Sequence, residues 1–320
     1  MSTEPHRIDV HHHIVPPRYL KALASIGITS SGGRSFPEWT PESMFAVMDE
    51  HGIDTAMTSI TSPGVYFGDA ASARDLARRC NDISARLLSD YGKRVGAFAV
   101  LPLPDVDGAL NELEYALDTL GLDGVGLLAS VGDQYLGDPA FDALFAELNR
   151  RKTVVFIHPN IPPGSNVPKL DLPPFIVEFV FDTTRAVTNL IYSGTLERYQ
   201  DIRFIVSHAG GAAPYLAWRI WVGGFPLPDV HKNAPEGAIT YLQRLYYDTA
   251  LSASPYALRS LQELIDSSHM LFGSDYPFAP EIVTTETIRG LEDYDGFDAQ
   301  TRMAVERENA LKLFPRLRDI

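Results

Sequence analysis

Eight short, apolar, β-branched segments alternate with longer helical patterns over 320 residues, which predicts an α/β chain closed into a (β/α)8 TIM barrel. The alternation gives the class, and the count of eight gives the closure. A third observation is chemical: several of the segments end in His or Asp, and barrels of this kind carry their catalytic groups at the C-terminal ends of the strands. A doubly wound open sheet is the structural alternative. No Gly-x-Gly-x-x-Gly follows the first strand, which counts against its dinucleotide-binding version.

The first strand is expected at "RIDVHHH", where three consecutive histidines sit in an apolar frame and read as a buried strand rather than a tail. Side chains alternate along a strand, so His11 and His13 share one face and His12 takes the other. Two imidazoles on one face can hold one metal ion. "TPESMFAVMDEHG" is a helix that starts near Thr and stops at Gly. "DTAMTSI" is the second strand, and "DAASARDLARRCNDISARLLSDYG" the helix after it. That helix carries the single cysteine, Cys80, which reads as a core thiol rather than a nucleophile. One thiol cannot close an internal disulfide, which fits a reducing cytosol.

"VGAFAVL" and "GVGLLAS" follow as strands three and four, with "DGALNELEYALDTLG" between them and "DPAFDALFAELNRR" after. Strand five, "TVVFIHP", ends in His158 and leads into a proline-rich patch. Strand six, "RFIVSH", ends in His208; "LYYDTAL" is strand seven; "HMLFGSD" is strand eight and ends in Asp275. Inserted loops are expected after strands one and five, at "YLKALASIGITSSGGRSFPEW" and "NIPPGSNVPKLDLPPF". With no linker-like tract or short repeat, one domain over 1–320 is the simplest organisation.

The formal charge of −14 argues against nucleic acid or an anionic membrane as a partner. An anionic substrate then needs a local positive feature, either a metal or an arginine. No run of eighteen apolar residues is present, and "MSTEPHRID" lacks the apolar stretch of a secretory signal, so a cytoplasmic protein is expected.

Each strand-end residue has a plain reading by itself. His158 suits a hydrogen-bonded core position, Asp275 a turn cap, and His208 a bond to a backbone carbonyl. The barrel, however, would gather His11, His13, His158, His208 and Asp275 around one axis, and that joint placement points to a metal site. His6, His51, His231 and His269 fall off the pattern. Arg219 lies about nine residues into the helix "GGAAPYLAWRIWVGG", roughly 13 Å down its axis, and spacing alone makes it a surface or interface charge. That helix is apolar nearly all round, which suggests packing against another subunit.

The motifs "IDVHHHIVPPRYL", "FIHPN", "SHAGGAAPYLAWRI" and "LFGSDYPF", in this order, resemble the metal-dependent amidohydrolase superfamily. The resemblance is to its decarboxylase branch, that of aminocarboxymuconate-semialdehyde, resorcylate and 6-methylsalicylate decarboxylases. It implies one divalent ion held by His11, His13, His158 and Asp275. It also implies that His208 is a catalytic group beside the metal, and that Arg219 contacts the substrate carboxylate in a neighbouring subunit. Strand four lacks the lysine that bridges two metals in binuclear relatives, so one ion per chain is inferred. Three imidazoles and a carboxylate suit zinc, with manganese the other option, and no organic cofactor is needed.

The function implied is non-oxidative decarboxylation of a small hydroxyaryl acid of the 6-methylsalicylate type, with Asp275 and His208 as catalytic residues in a homodimer. The same atoms could instead activate water in a lactone or amide hydrolase or a hydratase. A non-catalytic, metal-stabilised scaffold is the third possibility.

Overall fold

The computed structural model describes residues 6–161 and 170–318. Eight strands form one parallel sheet in chain order: β1 (Arg7–His13), β2 (Ile53–Ser59), β3 (Val95–Val100), β4 (Gly124–Leu128), β5 (Val154–His158), β6 (Arg203–Val206), β7 (Tyr246–Asp248) and β8 (Met270–Leu271). Every residue of β1, β3 and β5 is buried, as parallel strands covered by helices require. The circle closes past the end of β8. Val10 donates its N–H to the Phe272 carbonyl at 2.9 Å, Asp275 donates to the His11 carbonyl at 2.8 Å, and His13 donates to the Tyr276 carbonyl at 2.7 Å. The expected (β/α)8 barrel is the fold.

The helices start where their caps are. In α2 (Pro41–Glu50), which follows α1 (Pro17–Ser25), Thr40 and Ser43 bond each other's backbone N–H groups in a capping box. Asp69 accepts from the Ser72 N–H ahead of α3 (Ala70–Tyr91), and Asp105 from the Gly108 N–H ahead of α4 (Val106–Glu114). Then come α5 (Asp142–Arg150), α6 (Glu178–Tyr192), α7 (Ala213–Gly223), α8 (Pro255–Leu264) and α9 (Glu281–Glu292). A column of rings descends through the barrel. His11, Phe156, Phe98 and Phe314 succeed one another at centroid distances of 4.9, 5.4 and 5.9 Å. Phe314 belongs to a C-terminal segment whose Leu313 and Leu317 pack with Val10, Val154 and Leu271, so the N-terminal end of the barrel is filled.

Three local features differ from the sequence pattern. β7 and β8 are shorter than the segments that announce them, because side chains take over their backbone donors. The Ala250 N–H goes to Asp248, Gly273 to Thr249 Oγ1 and Ser274 to Asp9. A small hairpin, Ser130–Val131 with Gln134–Tyr135, follows β4 and was not signalled as strand. The insertion after β1 carries another hairpin, Ser30–Ser31 with Arg34–Ser35, and the insertion after β5 falls partly on residues 162–169, outside the described residues.

Candidate metal centre

β1 carries His11 and His13 inward on one face, and the ladder fixes both. His13 lies opposite Ser59 of β2, whose Oγ is 2.8 Å from His13 Nδ1. His11 Nδ1 donates to Asp248 Oδ2 at 2.9 Å. His158, the last residue of β5, has Nδ1 2.7 Å from the Pro159 carbonyl and 2.8 Å from Thr61 Oγ1. A carbonyl or carboxylate only accepts, so Nδ1 of His11 and of His158 carries a proton, which leaves Nε2 as the nitrogen that can face an ion.

The free nitrogens converge. His11 Nε2 and His13 Nε2 are 3.0 Å apart, and Asp275 Oδ1 lies 3.2 Å from the first and 3.1 Å from the second. One ligand atom from each of His11, His13, His158 and Asp275 fits within 4.8 Å of all the others. Asp275 Oδ1 is buried and makes no hydrogen bond, so it is left to some other partner. Metal–nitrogen bonds near 2.0–2.1 Å put neighbouring donors about 3.3 Å apart in a tetrahedral shell, close to what His11, His13 and Asp275 already show. The donor set fits one divalent ion.

Charge says the same. Burial disfavours a proton on His11, yet the carboxylates of Asp248 and Asp275 outweigh it and raise its pKa to about 10. Burial lowers His13 to about 4. His158 falls well below the ordinary imidazole range through burial and then the neighbouring imidazoles. For Asp275, burial opposes ionisation, but His11, His13 and His208 hold its carboxyl well below the usual range. Without metal, the cluster thus recruits a proton to offset its carboxylates.

His208 stands beside this group, with Nε2 3.5 Å from Asp275 Oδ2 and Nδ1 buried without a hydrogen-bond partner. It sits on a strained corner: His208 and Ala209 have φ of 55° and 53°, followed by Gly210 and Gly211 at 74° and 64°. Asp248 holds the corner by accepting the His208 N–H at 2.9 Å. Asp248, at the end of β7, was missed by the sequence reading. Its signal was available, an Asp closing a strand as Asp275 does, but the pattern ran the strand on to Leu251.

His12 is turned away from the cluster. Its Nδ1 is 2.9 Å from Asp9 Oδ2, and its ring lies on Tyr276 at 5.2 Å. Asp9 also accepts the backbone N–H groups of His11 and Ser274, tying together the chain on either side of the metal group. Cys80 is buried, and burial pushes its thiol up to about 12, which leaves it no nucleophilic role.

A cavity of about 570 Å³ opens above the cluster. His158, His208 and Asp275 form part of its wall, with Phe179, Val180 and Phe278 among the apolar lining. Arg34, from the hairpin after β1, is the cation that lines it among the described residues. Arg219 does not reach it within its own chain. It is exposed on α7, where Tyr215 and Trp218 are 83% and 64% exposed, so a face of this helix is uncovered. No described helix is long and apolar enough to cross a membrane.

The profile of the amidohydrolase family matches residues 8–316. The chain is 37% identical over 318 residues to the 6-methylsalicylic acid decarboxylase of Penicillium expansum, covering 98% of either protein. It is similar to a crystal structure described as an amidohydrolase II, with a TM-score of 0.90, 29% identity and coverage of 97% of this chain and 99% of that one. It also shares the fold of 5-carboxyvanillate decarboxylase from Novosphingobium aromaticivorans, solved with manganese and a nitrobenzoic acid ligand. There the TM-score is 0.85, the identity 23%, and the coverage 98% of this chain and 99% of that one.

Proposed function

This chain belongs to the amidohydrolase family and is a carboxy-lyase, and from that premise we propose that it removes carbon dioxide, without oxidation and with one divalent ion, from a small hydroxyaryl carboxylic acid of the 6-methylsalicylate type. The observation that carries the proposal is the convergence of three imidazoles and an orphaned carboxylate oxygen beneath a largely apolar cavity of about 570 Å³, ample for a substituted aromatic ring. His11, His13, His158 and Asp275 would hold the ion, zinc by the donor set or manganese as in the structural relative. When bound, it supplies Lewis-acid stabilisation of the phenolate and carboxylate charge.

The side chains of the protein do the rest. Phe179, Val180 and Phe278 exclude water from the ring. Asp275 faces the carbon that bears the carboxylate and delivers a proton to it; the C–C bond then breaks, its electrons return to the ring, and carbon dioxide leaves. Even without the ion, the imidazoles hold Asp275 ionised. It therefore passes on a proton rather than storing one, and His208, 3.5 Å from its other oxygen, supplies it. The substrate carboxylate is held by Arg219 of a second copy in a homodimer. An exposed arginine beside uncovered Tyr215 and Trp218 supports that reading. A cytoplasmic setting suits a chain whose one thiol is buried and unpaired.

The test is to follow carbon dioxide release by metal-loaded protein from a panel of hydroxybenzoates, with lactones and amides alongside. Release from a salicylate-type acid, abolished by chelation and restored by metal, is expected. Turnover of lactones with proton release and no carbon dioxide would replace the proposal with hydrolysis.

A further inference from the structure

Among the described residues, five other than glycine hold φ in the left-handed region: Lys152, His208, Ala209, Leu251 and Asp275. Lys152 lies in the turn before β5, at the opposite end of the barrel from the cavity. The other four cluster at the strand ends around the candidate site. His208 and Asp275 have roles in the chemistry proposed above, and Ala209 completes the corner that presents His208. Leu251 has none so far.

Its position is costly in two ways. A left-handed backbone at φ 54° brings the β-carbon of an L residue against its own backbone, and glycine or asparagine fills such positions more readily. The side chain gains little in return from the fold, because Leu251 is 53% exposed. The turn is held without it: the Ser252 N–H donates to the Thr249 carbonyl at 3.0 Å, and the Ala250 N–H to Asp248 Oδ1 at 3.0 Å. What Leu251 does touch is the cavity, which it lines with Ser252. β7 lies between β6 and β8, so Leu251 stands between the strand ends that carry His208 and Asp275. A ring held over those two residues comes within reach of the Leu251 side chain on the same cavity wall.

We propose that Leu251 is a specificity-determining residue whose side chain packs on the ring of the bound aromatic acid and favours rings that carry an alkyl substituent. The strain and the exposure of the empty protein are then offset when the ligand covers the leucine. This rests on the proposed decarboxylation of an aromatic acid, and the experiment separates the two.

Metal-loaded wild type, Leu251→Gly and Leu251→Asn would be compared with 6-methylsalicylate and salicylate, together with their thermal midpoints. Both substitutions suit a left-handed backbone and remove the apolar contact. KM for 6-methylsalicylate is expected to rise about tenfold, with a smaller change in kcat and a reduced preference over salicylate. The midpoint of the glycine variant should stay level or rise by about 3 °C, as relief of strain requires. Unchanged KM in both variants overturns the proposal. So does a midpoint lowered by about 5 °C or more in both, which would make the leucine a structural residue. If the wild type releases no carbon dioxide from either acid, decarboxylation of this class fails by itself. Leu251 is then judged by calorimetric dissociation constants for the same acids. A tenfold weakening confined to the methylated acid sustains it, and equal weakening, no change or no binding overturns it.

Discussion

Three of the buried histidines differ in what their second nitrogen does, and in the proposed mechanism that difference separates holding a metal from moving a proton. His11 and His158 anchor Nδ1 on a carboxylate and a carbonyl and turn Nε2 inward, whereas His208 leaves Nδ1 without a partner. Asp275→Ala and His158→Ala should therefore lower the metal content of purified protein from near one ion per chain, while His12→Gln should leave it unchanged. His208→Ala should keep most of the metal and lose activity by about 10² or more; elemental analysis beside turnover separates the outcomes. Parallel loss of both would make His208 a ligand. Asp248→Asn tests the support beneath. The amide keeps the size but weakens the hold on the His11 tautomer, and metal affinity, read by competition with a chelator, should fall about 10- to 100-fold.

Elements were legible in the sequence where one property dominated them. β1 to β6 announce themselves as apolar runs because both of their faces are covered. β7 and β8 were read too long, since Asp248, Thr249 and Asp9 capture their backbone donors across the barrel, which no local pattern records. The hairpins at Ser30–Ser35 and Ser130–Tyr135 pair only two residues a side and escaped for want of length. His11, His13, His158, His208 and Asp275 could be named from strand ends alone, whereas Asp248 and Leu251 needed the true end of β7. The corner before α7 explains why "SHAGG" ends in two glycines. A β-carbon on Gly211 would overlap the Val180 carbonyl oxygen of α6, on a backbone already at φ 64°. Gly211→Ala should cost about 2–4 kcal/mol, read as a lower denaturation midpoint, and displace His208 with α7. An unchanged midpoint would mean that α6 and α7 separate easily.

At the scale of the whole molecule, an acidic protein that binds an anion has to find positive charge somewhere. Arg34 lines the cavity from the same chain, and Arg219 waits on an uncovered face. Mixed dimers decide between them. Arg219→Ala and His208→Ala chains, each nearly inactive alone, should regain activity when co-assembled, because only a shared site gives the hybrid one centre with both residues intact. Verified hybrids that stay inactive would return the carboxylate to Arg34 or another group of the same chain.

The barrel is joined to itself where the candidate metal ligands sit. His11 and His13 come from its first strand and Asp275 from just beyond its last, and their backbones bond directly at 2.8 and 2.7 Å, the latter through Tyr276. An ion held there acts as a clasp on a belt, fastening the two ends of the chain after everything between them has wound into place. Metal loading should then slow amide hydrogen exchange at residues 8–13 and 271–276 far more than in the buckle-distant strands β3 and β4. The proposed ion would in this way also set how tightly the ring is closed, and a protein stripped of it would loosen first along that one line.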